Sequence, residues 1–291
     1  MKRSTLICLR TALVPQQVCC RSVGAAKRRP SDSGRQSGRR PFSDAVAFKY
    51  RNNLVWRDLP GECPPWQTVF DRFTRWARDG TWHRILTTLQ VRADTEGDLD
   101  WLVGVDSTIV RAHQHAAGAP EKGAPAGEPP DHALGRSRGG LTTKVHLAAD
   151  GRCCPLAFVV TAGQAGDAPQ FENVMAAIRV PRAIGRPRVR PDAVLADRAY
   201  SSRAIRTHLR RRGIRAVIPE PADQQANRRR RGRRGGRPVV LDRDAYRARN
   251  AVERCINRLK QWRGIAMRTD KLATNYQAAL HVAAIFLWLK T

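Results

Sequence analysis

The chain has 291 residues, 42% of them hydrophobic, with 53 Lys and Arg against 25 Asp and Glu, a formal excess of +28. That length and apolar content exclude a disordered chain and suit one large or two small domains, while the charge points to a polyanionic partner, nucleic acid before an anionic membrane surface. Seven cysteines (Cys8, Cys19, Cys20, Cys63, Cys153, Cys154 and Cys255) include no C-x-x-C spacing, which argues against a zinc site or a disulfide framework and suits a reducing, cytoplasmic setting.

Residues 1–40 are loosely patterned and rich in Arg, Ser and Gly, and read as a basic, poorly ordered arm. Arg10 and Pro15 interrupt its apolar stretch, so it does not read as a signal peptide. Residues 41–92 form a second segment, a small helical domain. Between Pro65 and Gly80 the apolar residues Trp66, Val69, Phe70, Phe73, Trp76 and Ala77 make the stripe of an amphipathic helix, with Arg72, Arg75 and Arg78 on its polar side. A second short helix is expected over 82–90. Two helices joined at a glycine with an arginine face are compatible with a helix-turn-helix DNA reader, and equally with a packing unit whose arginines are solvated.

After an acidic link at 91–100 the pattern changes, and residues 99–291 read as one α/β domain. Strands are expected at 101–110, in a hairpin of 141–149 and 155–161 around Asp150-Gly151, at 192–197 and at 214–218. Helices are expected at 171–178, at 203–212 between a Ser202 cap and Gly213, at 244–263 and at 273–290. Residues 116–140 and the basic stretch before the 244–263 helix read as loops. The apolar run at 280–289 is about half of the ~20 residues that a membrane span needs. A three-stranded antiparallel start followed by βαβ units is the ribonuclease-H-like arrangement, a mixed sheet flanked by helices.

Three carboxylates stand out by position. Asp106 lies among apolar strand residues, where a charge is costly unless paired or metal-bound. Asp197 lies at the carboxyl end of a later strand, where open α/β sheets bind ligands. Glu253 lies on the long helix, where about 100° per residue puts Tyr246, Arg249, Glu253, Asn257 and Lys260 within roughly an 80° arc, with Val252, Ile256 and Leu259 opposite. Taken singly, each acid has a structural alternative: an arginine partner for Asp106, a cap or Arg198 pair for Asp197, a pairing along the helix for Glu253. Taken together, three acids on three elements suit phosphodiester chemistry with two divalent ions, and Arg249 and Lys260 suit phosphate contacts. Residues 203–237 carry 13 Arg, densest from Arg228, Arg229, Arg230 and Arg231 onward, and are expected to neutralise phosphates. Asp167 ranks below the three acids as a group that supports the site, and His113, His115 and His146 read as strand-face or surface residues.

The spacing Tyr246-x2-Arg249-x3-Glu253-x6-Lys260 resembles the signature of bacterial insertion-sequence DDE transposases, the insertion-sequence-five family and its relatives. Val105-Asp106-Ser107-Thr108 and Ala196-Asp197-Arg198-Ala199-Tyr200 resemble that family's two aspartate motifs, and 139–151 resembles its hairpin. Trp56-Arg57-Asp58-Leu59-Pro60, with Pro65-Trp66-Gln67-Thr68-Val69, resembles its N-terminal DNA-binding region. The resemblance implies a catalytic and metal-binding triad of Asp106, Asp197 and Glu253. It implies two Mg²⁺ ions, with Mn²⁺ as a substitute. DNA at the transposon ends would be positioned by Tyr246, Arg249 and Lys260. It further implies double-stranded DNA as substrate, hydrolysis followed by strand transfer, and a homodimer on the DNA. The competing readings are a nuclease that only cuts and a basic DNA-binding copy without catalysis.

Overall fold

The computed structural model describes residues 41–119, 125–182 and 184–290; the expected arm at 1–40 lies outside them. β1 (Leu102–Ala112) is the spine of the sheet. On one side it pairs antiparallel with β3 (Gly140–Ala149), and β3 pairs antiparallel with β2 (Gly135–Ser137) and β4 (Pro155–Ala162). On its other side β1 pairs in parallel with β5 (Ala193–Leu195) and, near its end, with β7 (Met267–Arg268), while β6 (Arg215–Val217) extends the sheet beyond β5. The order is that of the ribonuclease-H-like arrangement expected from the sequence: an antiparallel meander, then parallel strands reached through helical crossovers.

Helices cover both faces. α1 (Phe42–Asn52), α2 (Trp66–Arg78) and α3 (Thr81–Glu96) precede the sheet, and α4 (Gln114–Ala117) follows β1. α5 (Asp167–Ala177) packs on β3 and β4. α6 (Arg203–Arg211) starts at a Ser202 cap whose hydroxyl accepts from Ile205 N and ends before Gly213, at φ +65°. α7 (Ala222–Arg230), α8 (Arg243–Arg247), α9 (Asn250–Lys260), α10 (Arg263–Ala266) and α11 (Ala273–Trp288) complete the order. α9 lies against β1 and β3, and α11 against α3, α2 and β4.

Several expectations need correction. The first helices are packed into the α/β core: Val46, Tyr50, Phe73, Trp82 and Leu86 belong to the same buried cluster as Val103, Leu147, Val252 and Ala283. α3 runs on through the acidic stretch to Glu96, stopped by Gly97 at φ +75°, and Gln90 on it donates to the carbonyls of Pro155 and Leu156. A helix tied down in this way is a wall of the core, which the charge pattern of 91–96 concealed. The expected helix 244–263 is divided: Ala248 and Arg249 keep helical angles but tighten to three-residue hydrogen bonds (Ala251 N to Ala248 O, Val252 N to Arg249 O), and α9 ends at Lys260. The basic stretch expected as a loop contains α7 and a 3₁₀ turn at Gly232–Gly235. No helix among the described residues is long and apolar enough to cross a membrane.

Candidate active site

Side chains alternate along β1, so Gly104 and Asp106 share the face that α9 covers. Gly104 has no side chain where Val252 arrives: a Cβ there would stand 2.8 Å from Val252 Cβ. The bare backbone lets α9 seat directly on β1. Val252, Cys255 and Leu259 are buried in that seat, and Glu253 is left on the open side.

Arg249 joins two of the predicted acids. Its Nη1 lies 3.5 Å from Asp106 Oδ2, and its Nη2 donates to Glu253 Oε1. The Arg249 side chain is only 19% exposed, against 23% for Asp106 and 46% for Glu253. Burial opposes its charge, but Glu253, Tyr246 and Asp106 outweigh that, and Arg249 is held above its ordinary pKa. Asp106 Oδ1 accepts from Ser107 N at 2.8 Å. Burial pushes the Asp106 carboxyl above its ordinary pKa; the charges of Asp197 and Glu253 push the same way, against the Ser107 amide and Arg249.

Asp197 leaves the end of β5 and caps the 3₁₀ turn Arg198–Tyr200, its Oδ1 accepting from Ala199 N at 2.8 Å. It shares no hydrogen bond with the other two acids; its charge reaches Asp106 through space. Thus Asp106 and Glu253 meet at one guanidinium, and Asp197 faces Asp106 from the next strand. Each acid also has a local structural partner of the kind that the sequence leaves open.

The remaining candidates are more scattered. Tyr246 packs by its ring on the small cluster of Ala193, Leu195 and Val217, and lies 5.9 Å from Arg249 Cζ. Lys260 Nζ donates to Ile109 O at 3.4 Å, and burial lowers its pKa. Arg229, Arg230 and Arg231 are exposed, whereas Arg228 is half-buried in an ion pair with Glu220. α7 is rooted beside the Asp197 turn, since Gln224 Nε2 donates to Ser201 O at 2.7 Å. The arginine run therefore projects from the neighbourhood of the acids.

Among the described residues no group of three or more His, Cys, Asp or Glu side chains is close enough to hold one metal ion. The donor set nevertheless suits hard divalent cations. It is made of carboxylates on separate rigid elements, and Asp106 feels both of the others. Arg249 already shows that a cation is accommodated between Asp106 and Glu253. Ser107 and Tyr200, which the sequence does not single out, adjoin Asp106 and Asp197, and Lys144 reaches Asp167 behind the sheet; their only sequence signal is adjacency to an aspartate motif or the alternation of the hairpin.

Residues 98–288 match the family described as "Transposase DDE domain", and residues 22–86 match the one described as "Putative transposase of IS4/5 family". A protein of Brucella ovis named "Putative transposase for insertion sequence element IS6501" is 29% identical over 150 residues, covering 52% of this chain and 100% of that one. An uncharacterized Sinorhizobium fredii protein, y4sN, is 43% identical over 86 residues, and the match spans 30% of this chain and 65% of that protein's length. Among solved structures, the Mos1 transposase paired-end complex with left transposon end has a TM-score of 0.25 at 11% identity, over 81% of this chain and 82% of that one. The Mos1 strand transfer complex has a TM-score of 0.26 at 14% identity, over the same shares.

Proposed function

The chain belongs to the DDE-domain transposase family, and from that premise we propose that it binds the ends of an insertion sequence as double-stranded DNA, cuts them and joins them to a target. The observation that carries this reading is the pair of contacts that Arg249 makes with Asp106 and Glu253, with the charge of Asp197 bearing on the same Asp106. It supports Asp106, Asp197 and Glu253 as one catalytic unit and Asp106 as its shared member.

The residues divide the work as follows. Asp106 and Asp197 on one side, and Asp106 and Glu253 on the other, would hold two Mg²⁺ ions, or Mn²⁺ in their place. When bound, the ions activate the attacking oxygen and stabilise the leaving one. Arg249 is held in place by the two acids it touches, and its guanidinium would grip a phosphate in bidentate fashion. Lys260 supplies a point charge further along α9, and Tyr246 fixes the approach of α8. Arg229, Arg230 and Arg231 hold the flanking backbone by charge; Arg228 serves through Glu220, keeping α7 folded.

Two in-line displacements follow. Water attacks the phosphorus at the element's end and the P–O3′ bond breaks, leaving a 3′-hydroxyl and a 5′-phosphate. That hydroxyl then attacks a target phosphorus and displaces the target's own 3′-oxygen. The protein would act as a homodimer that brings two ends together.

The test is a cleavage and strand-joining assay on DNA carrying the element's terminal repeats, with Mg²⁺. The wild type gives both products, and Asp106→Asn, Asp197→Asn and Glu253→Gln give neither while still binding DNA. Cleavage without joining would select a simple nuclease instead. Tight DNA binding with no product from any form would select a non-catalytic DNA-binding protein.

A further inference from the structure

Ser107 follows Asp106 on β1 and therefore points to the opposite face of the sheet, where α5 lies. There its Oγ donates to Asp167 Oδ1 at 2.7 Å. The same carboxylate oxygen accepts from Lys144 Nζ at 3.0 Å, and Lys144 also donates to Ala165 O at 2.6 Å. His146 Nδ1 stands 3.9 Å from it, while His146 Nε2 is held 2.9 Å from Thr161 Oγ1 on β4. Lys144 and His146 come from β3, in register opposite Ile109 and Ser107. Burial lowers the pKa of His146 to about 4, so its ring is neutral at physiological pH. Burial opposes ionisation of Asp167, but the Ser107 hydroxyl and Lys144 outweigh it and hold the carboxyl below its ordinary range. The group is thus a charged carboxylate held by two hydrogen bonds, with the neutral His146 ring beside it.

What it fixes is the backbone that carries the site. Ser107 is the residue whose amide donates to Asp106 Oδ1. α5 also bears Phe171, whose ring centroid lies 5.9 Å from that of Tyr200, the residue closing the turn that Asp197 caps. Burial pushes the Tyr200 hydroxyl's pKa up, and the charges of Asp167, Asp106 and Asp197 push the same way. One helix, anchored at its first residue by Asp167, touches the segments of both aspartates. A Lys144–Asp167 ion pair alone would pin α5 to the hairpin; the added Ser107 bond ties it to the acid-bearing strand.

We infer that Asp167, acting with Lys144 through Ser107, is a positioning residue that sets the orientation of Asp106 towards Asp197 and Glu253 for metal binding. The inference rests on reading those three acids as a metal site.

Mn²⁺ uptake by the full chain, followed by electron paramagnetic resonance without DNA or turnover, tests it. Asp167→Asn and Ser107→Ala are expected to raise half-saturation by about 10- to 100-fold, Ser107→Thr to restore it, and the double variant to be no worse than the stronger single one. Circular dichroism and DNA affinity separate this from loss of fold. Should Asp167→Asn fail to fold, Ser107→Ala, which removes only one hydroxyl, decides. If both variants are folded and bind Mn²⁺ like the wild type, the inference is overturned while the metal site stands. If the wild type takes up no Mn²⁺, or Asp106→Asn takes it up unchanged, the metal site itself is refuted and the positioning role falls with it.

Discussion

Gly104 on β1 and Val252 on α9 meet so closely that a Cβ on the glycine would lie 2.8 Å from Val252 Cβ and 3.6 Å from the Val252 amide nitrogen. Asp106 lies two residues beyond Gly104 and Glu253 one beyond Val252, so this contact sets the distance between two of the acids. Gly104→Ala forces α9 outwards or strains the valine. Overpacking of this kind costs about 1–3 kcal/mol. The expected result is a lower denaturation midpoint, together with weaker Mn²⁺ uptake than the stability loss explains. Val252→Ala in the same background makes room for the new methyl and should return part of both.

Asp150, in the β3–β4 turn, is fully buried, and its Oδ1 accepts from Cys154 N and Arg152 N. Burial raises its pKa to about 6. A raised acid keeps its proton in the folded state after the unfolded chain has lost it. Stability is therefore highest below the unfolded value and falls as pH rises through about 4 to 6. Two pKa units correspond to up to about 3 kcal/mol. Asp150→Asn, which keeps the accepting oxygen, should be more stable than the wild type at pH 7.5 and gain nothing below pH 4. Urea titrations at both values check the sign.

Arg268 has no exposed surface, and each of its nitrogens donates: Nε to Asp270 O, Nη1 to Ala133 O and Thr143 Oγ1, Nη2 to His132 O and Lys271 O. It ties 132–133 to β3 and to the start of α11. Arg268→Met leaves several buried acceptors unpaired and should cost at least about 3 kcal/mol. Denaturant unfolding measures this. A loss within about 1 kcal/mol would mean that the carbonyls find water.

Arg229, Arg230 and Arg231 are exposed on or just beyond α7. Replacing all three with Ala should lower the slope of log affinity against log salt by up to about 0.9 for each phosphate that is no longer neutralised. Arg228→Ala should act differently, because Arg228 is committed to Glu220: α7 loosens and the slope changes little. Filter-binding or fluorescence titrations from about 50 to 200 mM salt distinguish the two.

The sheet is largely legible in the sequence because its signals are local. Alternation in 101–110 and 141–161, the Asp150-Gly151 turn and the Ser202 cap need only near neighbours. The burial within α1 is not legible: Lys49 and Tyr50 are buried there, bonded to Thr269 and Asp270, 220 residues away. Nor does the run at 228–231 read as helical, although α7 ends within it under a Glu220 pairing that charge density hides. Of the site, the three acids stand out by their places on strand and helix. The Asp167 network does not, since Ser107, Lys144 and Asp167 meet only once β1, β3 and α5 are layered.

The central claim is that Asp106 is the carboxylate shared between Asp197 and Glu253, with Arg249 holding the place of a cation. Anomalous diffraction from crystals of the full chain soaked in Mn²⁺ tests it most directly. The account predicts metal peaks between Asp106 and Asp197 and between Asp106 and Glu253, with the Arg249 guanidinium withdrawn from both acids. Saturating Mn²⁺ that leaves Arg249 bridging Asp106 and Glu253, with no peak at Asp106, would contradict it.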